Sequence, residues 1–228
     1  TKQPYGSLKY VKAFDSKLLI PEDEWLDRLE AQKKAEASLY DIRKKGKDGK
    51  QIESRDQNGR GYCWGHSPIS AMLLARARDN AKYVDLAAYA GCCIIKGFRD
   101  QGGWNKDMVA FCVERGCPSS EFWPQQGTKR EYDNPQTWAN AKKHRFTEWM
   151  ELDPNDMVRQ NVSVLLQNLP CAEDYNWWSH SVGGCRIVNL VRRAKGSWTV
   201  TKTIWNSWGD DWSDDGMGDL EGGRAEPD

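Results

Sequence analysis

Two runs near the C-terminus constrain this chain more than any other feature. From Val182 to Arg192, residues Cys185, Ile187, Asn189 and Val191 alternate with Arg186, Val188, Leu190 and Arg192, and a second β-like run extends from Ser197 to Asn206. A period of two marks strands, here with two partly covered faces. The short joint Arg193-Ala194-Lys195-Gly196 makes the two runs a hairpin. Antiparallel pairing brings the ends of a hairpin together, so His180 and Asn206 are expected to be neighbours although they are far apart in sequence.

A second informative stretch is Gln57-Asn58-Gly59-Arg60-Gly61-Tyr62-Cys63-Trp64-Gly65-His66-Ser67. A helix-compatible run from Ser67 to Ala75 comes after it. This places the Cys63 thiol at a helix N-terminus, where the dipole favours thiolate over thiol, with the Gln57 amide curled back beside it. A thiol, an imidazole and an oriented side-chain amide are the parts of an activated nucleophile, a proton shuttle and an orienting group.

The 228 residues can bury a sizeable core as one large domain or two small lobes. Lys+Arg and Asp+Glu are equal at 33 each, which gives no reason to propose a nucleic-acid or membrane partner. No apolar run is long enough to span a bilayer, and the start Thr1-Lys2-Gln3-Pro4 is not a secretion signal. Seven cysteines is an odd number, and the adjacent Cys92-Cys93 suit buried free thiols better than a disulfide scaffold. The expected setting is an intracellular, reducing compartment. No metal or other cofactor is implied.

Along the chain, residues 1 to 20 read as irregular. A helix opens at Pro21-Glu22-Asp23-Glu24 and continues to about Ala37 with a short stripe of Trp25, Leu26 and Leu29, either strapped over the body of the fold or serving as an arm that docks or occludes. Lys44 to Lys50 reads as a solvated loop. Helices are expected from Cys63 to about Asp79, Lys82 to Tyr89 and Asn105 to Arg115, the last capped by Gly116. Residues 125 to 150 read as mostly irregular, and Asp153-Pro154-Asn155-Asp156 starts a helix to about Asn168. The tail from Gly209 to Asp228 reads as largely loop. Helices first and strands second indicate an α+β protein, with an extension over 1–39, a mainly helical lobe over 40–124 and a mainly β lobe over 125–228.

The chain resembles the papain-like cysteine peptidases. Gln57 with Cys63-Trp64 is similar to the family's oxyanion glutamine and nucleophile segment, and His180-Ser181-Val182 ahead of Gly183-Gly184 to its histidine strand. Asn206-Ser207-Trp208-Gly209, with Trp212 and Gly216, is similar to its Asn-Ser-Trp-Gly box. Gln101-Gly102-Gly103, with Arg115-Gly116 and Glu121-Phe122-Trp123-Pro124 behind it, resembles the Asn-Gly-Gly segment, its helix and the aromatic-proline stretch after that helix, and Asp41-Ile42-Arg43 an early Asp-Trp-Arg motif. The resemblance spans roughly residues 40 to 218 and implies a two-lobed fold, a helical lobe with a central helix facing a sheet or barrel-like lobe across an active-site cleft. It further implies a thiol endopeptidase acting on a polypeptide, with Cys63 as nucleophile, His180 as base and acid, and Asn206 as its orienter. Gln57 and the Cys63 backbone would form the oxyanion hole. Trp208 would cover the His180–Asn206 bond, Gly102 and Gly103 would present backbone to substrate, and Gly61 would leave room beside the scissile bond. His66 is assigned to the core or the surroundings of the site, and His144, among Lys142, Lys143 and Arg145, to solvent.

The sequence departs from the family where Arg60 replaces a first cysteine. In the register of the resemblance, Asp100 replaces that cysteine's partner, so an Arg60–Asp100 ion pair is expected to tie the two loops. The closing strands that shape the family's main specificity pocket are expected to be missing or shortened after Asn206. Residues 1–39 lack the features of the inhibitory prosegment. An alternative function is a papain-fold structural component of a larger assembly, such as a bacteriophage particle, with protein neighbours docked on residues 1–39; a transferase or amidase would keep the chemistry and change the acceptor.

Overall fold

A computed structural model of the chain describes residues 11–194 and 196–228. The irregular reading of residues 1–10, and Lys195 in the hairpin joint, lie outside the described residues.

Strand β1 (Val11–Ala13) is followed by a tight turn at Glu22–Glu24 and helix α1 (Trp25–Lys34). Pro21 stands just before that turn and three acids fill it, as the positive end of a helix favours. The segment is a strap. Trp25 and Leu29 are buried, the Trp25 Nε1–H donates to the Ile20 carbonyl, and the Trp25 ring packs on Trp198 at 5.2 Å. Helix α2 (Leu39–Arg43) starts in a capping box, with the Ser38 hydroxyl accepting from Asp41 N–H and the Asp41 carboxylate from Ser38 N–H. Arg43 is buried, donating to the carbonyls of Ile52 and Asp215 at 2.8 Å each. The Asp-Ile-Arg segment is therefore an anchor between the helical and sheet halves.

Helix α3 (Cys63–Arg78) is the central helix, buried along most of its length, as an all-round apolar sequence requires. Helix α4 (Ala88–Lys96) begins later than its sequence suggests. Leu86 pairs with Ser119 in an extended bridge and Ala87 N–H donates to Pro118 O, which uses residues 82–87 as backbone partners rather than helix. Helix α5 (Asn105–Glu114) ends before Gly116, at φ +82°. Within the stretch read as irregular lies helix α6 (Pro135–Ala141), whose Asn134 Oδ1 accepts from Thr137 N–H. Next comes β2 (Trp149–Glu151), parallel to β1, and then α7 (Met157–Leu166). His144 corrects the sequence reading. It is 8% exposed and its Nδ1 lies 3.1 Å from Cys117 O, because the Lys142 to Arg145 run turns back onto the end of α5.

Strands β3 (Cys171–Tyr175), β4 (His180–Arg192), β5 (Trp198–Trp205) and β6 (Met217–Glu221) form an antiparallel sheet in that order. The β4–β5 hairpin forms as expected, but its alternation holds only in part. Cys185 and Ile187 are buried on one phase, and the register irregularity between Ile187 and Asn189 shifts it, so that Leu190 is buried while Asn189 and Val191 are exposed. Within the largely irregular tail lies strand β6, which the sequence reading does not name; its Gly218 has Trp212 where a side chain would stand. Behind the sheet, Glu173 and Lys202 form an ion pair at 3.0 Å with neither side chain exposed. The Asn161 amide donates to Glu173 at 2.7 Å and accepts from Lys202 at 2.9 Å, and the Tyr175 hydroxyl donates to Glu173 at 2.8 Å. Among the described residues no helix is long and apolar enough to cross a membrane.

Candidate active site

Cys63 is the first residue of α3, and its side chain is partly exposed. One helical turn further on, the Ser67 hydroxyl donates to the Val182 carbonyl at 2.6 Å. Residues four apart share a helix face, so this bond puts the face of α3 that carries Cys63 beside the start of β4, the strand that His180 opens.

His180 and Asn206 meet, with Nε2 2.7 Å from Oδ1. That oxygen also accepts from Ser207 N–H at 2.7 Å. A backbone N–H can only donate, so the contacting Asn206 atom is its oxygen and His180 Nε2 carries the proton. Nδ1 is then the basic nitrogen of the neutral ring. Burial pulls the His180 pKa below the usual imidazole value, and the Asn206 bond pushes the other way.

Gln57 is buried beside Ser207. Its Nε2 donates to Arg60 O at 2.5 Å and its Oε1 accepts from the Ser207 hydroxyl at 2.6 Å. One amide proton of Nε2 remains for another acceptor. Gln57 N–H donates to Ser207 O at 2.8 Å, Gly209 N–H to Arg55 O at 3.1 Å, and the Tyr89 hydroxyl to Gln57 O at 2.8 Å. Residues 55–57 and 207–209 thus pair side by side, which joins the glutamine to the asparagine segment. The sequence reading named Gln57 and Asn206 but missed Ser207, Ser67 and Tyr89; of these, Ser207 carried a signal, since it stands inside the Asn-Ser-Trp-Gly box.

The glycines divide by surroundings. Gly102 has open space where a side chain would be, whereas at Gly103 that space is filled by the Trp64 ring at 2.6 Å. At Gly61 a side chain would meet Gly102 N at 3.2 Å, so the missing Cβ admits the neighbouring loop. Trp64 Nε1–H donates to Gly61 O at 2.9 Å. Arg60 and Asp100 do face each other, but at 3.8 Å with roughly a third to a half of each side chain in solvent. The shorter tie is one that sequence does not suggest, Gly61 N–H to Asp100 Oδ1 at 2.8 Å.

Trp208 packs on His180 with ring centroids 4.7 Å apart. Trp178 does the same at 4.7 Å and is absent from the sequence reading. His66 lies in the core, edge-on to Tyr89 at 5.7 Å, and burial pulls its pKa down to about 3, helped by Arg55 and His180.

The chain superposes on digestive procathepsin L 3 of Tenebrio molitor with a TM-score of 0.58 at 15% identity, covering 75% of this chain and 61% of that one, less than two thirds of its length. The fold is papain-like. Bromelain protease from Ananas comosus, in complex with the E64 inhibitor, gives a TM-score of 0.56 at 17% identity over 77% of this chain and 86% of that one. Xylellain, a cysteine protease from Xylella fastidiosa, gives 0.55 at 16% over 73% and 75%. By sequence, Zingipain-1 of Zingiber officinale is 24% identical over 78% of this chain and 86% of that protein. No family model matches the chain. The papain-like fold accounts for α3 lying against β4.

Proposed function

We propose that the protein is a thiol endopeptidase in which Cys63, His180 and Asn206 carry the chemistry. The observation that supports this most is the His180 Nε2 to Asn206 Oδ1 bond of 2.7 Å, because an accepting oxygen there assigns the proton to Nε2 and leaves Nδ1 to take the thiol proton of Cys63. The thiolate so formed sits at the positive end of α3 and attacks the carbonyl carbon of a peptide bond. The carbonyl oxygen becomes an oxyanion and accepts from the Cys63 backbone N–H and the remaining Nε2 proton of Gln57. The C–N bond then breaks, His180 Nδ1 returns its proton to the leaving amine, and the acyl group stays on sulfur. A water gives a proton to Nδ1, adds to the thioester carbon and releases the acid, and the proton returns to Cys63. An extended substrate would run beside Gly102, where backbone lies open.

The six other cysteines are all free, and burial pushes each thiol up, Cys117 and Cys171 to about 12. This supports a working environment that keeps thiols reduced. It also supplies the test. Brief exposure to a peptide-like electrophile at about pH 6, followed by peptide mapping, is expected to label Cys63 and spare the other six. Labelling spread over all seven, or none at Cys63, overturns the proposal.

A further inference from the structure

His180 sits in a corner built of two indoles. Its ring is 4.7 Å from Trp208 and 4.7 Å from Trp178, and the two indoles meet edge to face, 5.5 Å apart at 88°. Three centroids at these separations form a nearly equilateral triangle, so Trp178 covers a flank of the imidazole that Trp208 does not. Trp212 braces both indoles, 6.5 Å from Trp178 and 5.8 Å from Trp208. Trp177 stacks on the outer side of Trp178 at 5.4 Å and 15°.

The two walls come from different parts of the chain. Trp208 comes two residues after Asn206, whereas Trp178 belongs to the turn between β3 and β4, where Tyr175 pairs with His180. That turn is fixed by Trp178 N–H donating to Tyr175 O at 3.1 Å and Ser179 N–H to Asn176 O at 3.2 Å. An imidazole that accepts or donates one hydrogen bond still has freedom about its own side-chain torsions, and a second rigid wall removes it.

We infer that Trp178 is a positioning residue for His180, closing the corner that holds the imidazole with Nε2 on Asn206 and keeping water from that bond. The role is separable from covering by Trp208, because Trp178 moves with the β3–β4 turn and not with the asparagine. The groups that bear electrically on the ring are the Asn206 amide and, from α3, His66 and the Cys63 thiol of the proposed mechanism. The direction of the His180 pKa fits a ring walled off from water.

The test uses the full chain with labelled histidine, Trp178→Leu and Trp178→Phe beside the parent. Three histidines give three separable ring titrations by NMR. In Trp178→Leu, the His180 midpoint is expected to rise toward the ordinary value and its ring protons to lose the upfield displacement that an adjacent indole imposes. His66 and His144 should keep their parental signals, and Trp178→Phe should restore part of both effects. Peptide cleavage, where the proposed activity holds, should lose about tenfold in kcat with KM within about twofold. A folded leucine variant with a parental His180 titration overturns the inference. Should that variant fail to fold, the phenylalanine variant decides, an intermediate displacement supporting it and a parental one overturning it. The titration does not depend on turnover, so a parent that cuts no peptide counts against the proposed hydrolysis and leaves this measurement intact.

Discussion

On the sheet side of the site Asn206 is 1% exposed, its oxygen shared by His180 and Ser207, and behind it the Glu173–Lys202 pair is sealed from solvent. On the loop side Arg60 and Asp100 face each other through solvent at 3.8 Å, and the joining falls to Gly61 N–H on Asp100, the Tyr62 hydroxyl on Arg99 O at 3.0 Å and Trp64 Nε1–H on Gln101 O at 3.2 Å. On the sheet side, loss of one member of the Glu173–Lys202 pair leaves the other charge buried without its counter-ion, whereas on the loop side Arg60 and Asp100 can return to water. Asymmetry of this kind predicts where substitutions hurt. The imidazole and its orienter are held by a buried lattice, while the nucleophile loop keeps some freedom.

The largest effect should come from Lys202→Met. It leaves the Glu173 carboxylate buried opposite no cation, and loss of one partner of a buried pair costs about 3–5 kcal/mol, read from the denaturant midpoint. Adding Glu173→Gln should recover a good part of it. A loss below about 1 kcal/mol would show that water reaches the pair, and the contrast between the two sides would fail.

Gln57→Ala tests whether the loop side matters to rate more than to stability. Cleavage should fall by about 10²–10³, close to 3 kcal/mol, as when an oxyanion donor is removed. Electrophile labelling of Cys63 should survive. Equal loss of both would make Gln57 a structural residue, held for its bonds to Arg60 and Ser207.

His66 gives a pH signature to the core between the two sides. Its folded pKa of about 3 lies below the unfolded value near 6.5, so between these the unfolded chain binds more protons and stability rises with pH. The contribution is complete above about pH 6.5 and is lost as pH falls toward 3, at about 1.4 kcal/mol per unit. Denaturant midpoints taken at several pH values should show a shallower acid slope for His66→Leu, by about one proton. His180 and His144, also lowered by burial, act in the same direction.

The smallest effects belong to the exposed tie. Arg60→Ala should cost about 0–1 kcal/mol and less at high salt. Asp100→Ala should cost about 1 kcal/mol more, since it also removes the acceptor of Gly61 N–H. Equal costs for the two would mean that the ion pair, rather than the backbone bond, joins the loops.

The hairpin and helices α3, α5 and α7 are legible in the sequence because each carries a local signal, a strand-like run on either side of a short joint for the hairpin, a long helix-compatible run for α3, i,i+4 apolar pairs for α5 and an Asp-Pro-Asn-Asp start for α7. Strand β3 is not. Its buried positions include Glu173 and Tyr175, which satisfy each other and Lys202 behind the sheet, and a strand buried on charge has no hydrophobic alternation to detect. Helix α6 does carry a signal, Asn134-Pro135 as cap and first residue, but the polar residues around it mask the helix. Helix α4 is displaced because Leu86 and Ala87 bond across to residues 118–119, a partner chosen by tertiary structure. At the site, residue types and their order point to Cys63, His180 and Asn206, whereas Ser67 and Trp178 act through geometry alone. The adjacent tryptophans two and three residues before His180 are visible in the sequence, but nothing there says which way a turn aims them.

The bond from Ser67 to Val182 lies one helical turn, about 5 Å, behind the thiol. A rocking of the helix against the sheet about this bond would have its pivot close to Cys63 and far from the outer loops. Rocking of the helix against the sheet by a given angle displaces each point in proportion to its distance from that pivot. The outer segments would then move several times as far as Cys63, which stands one turn from the bond.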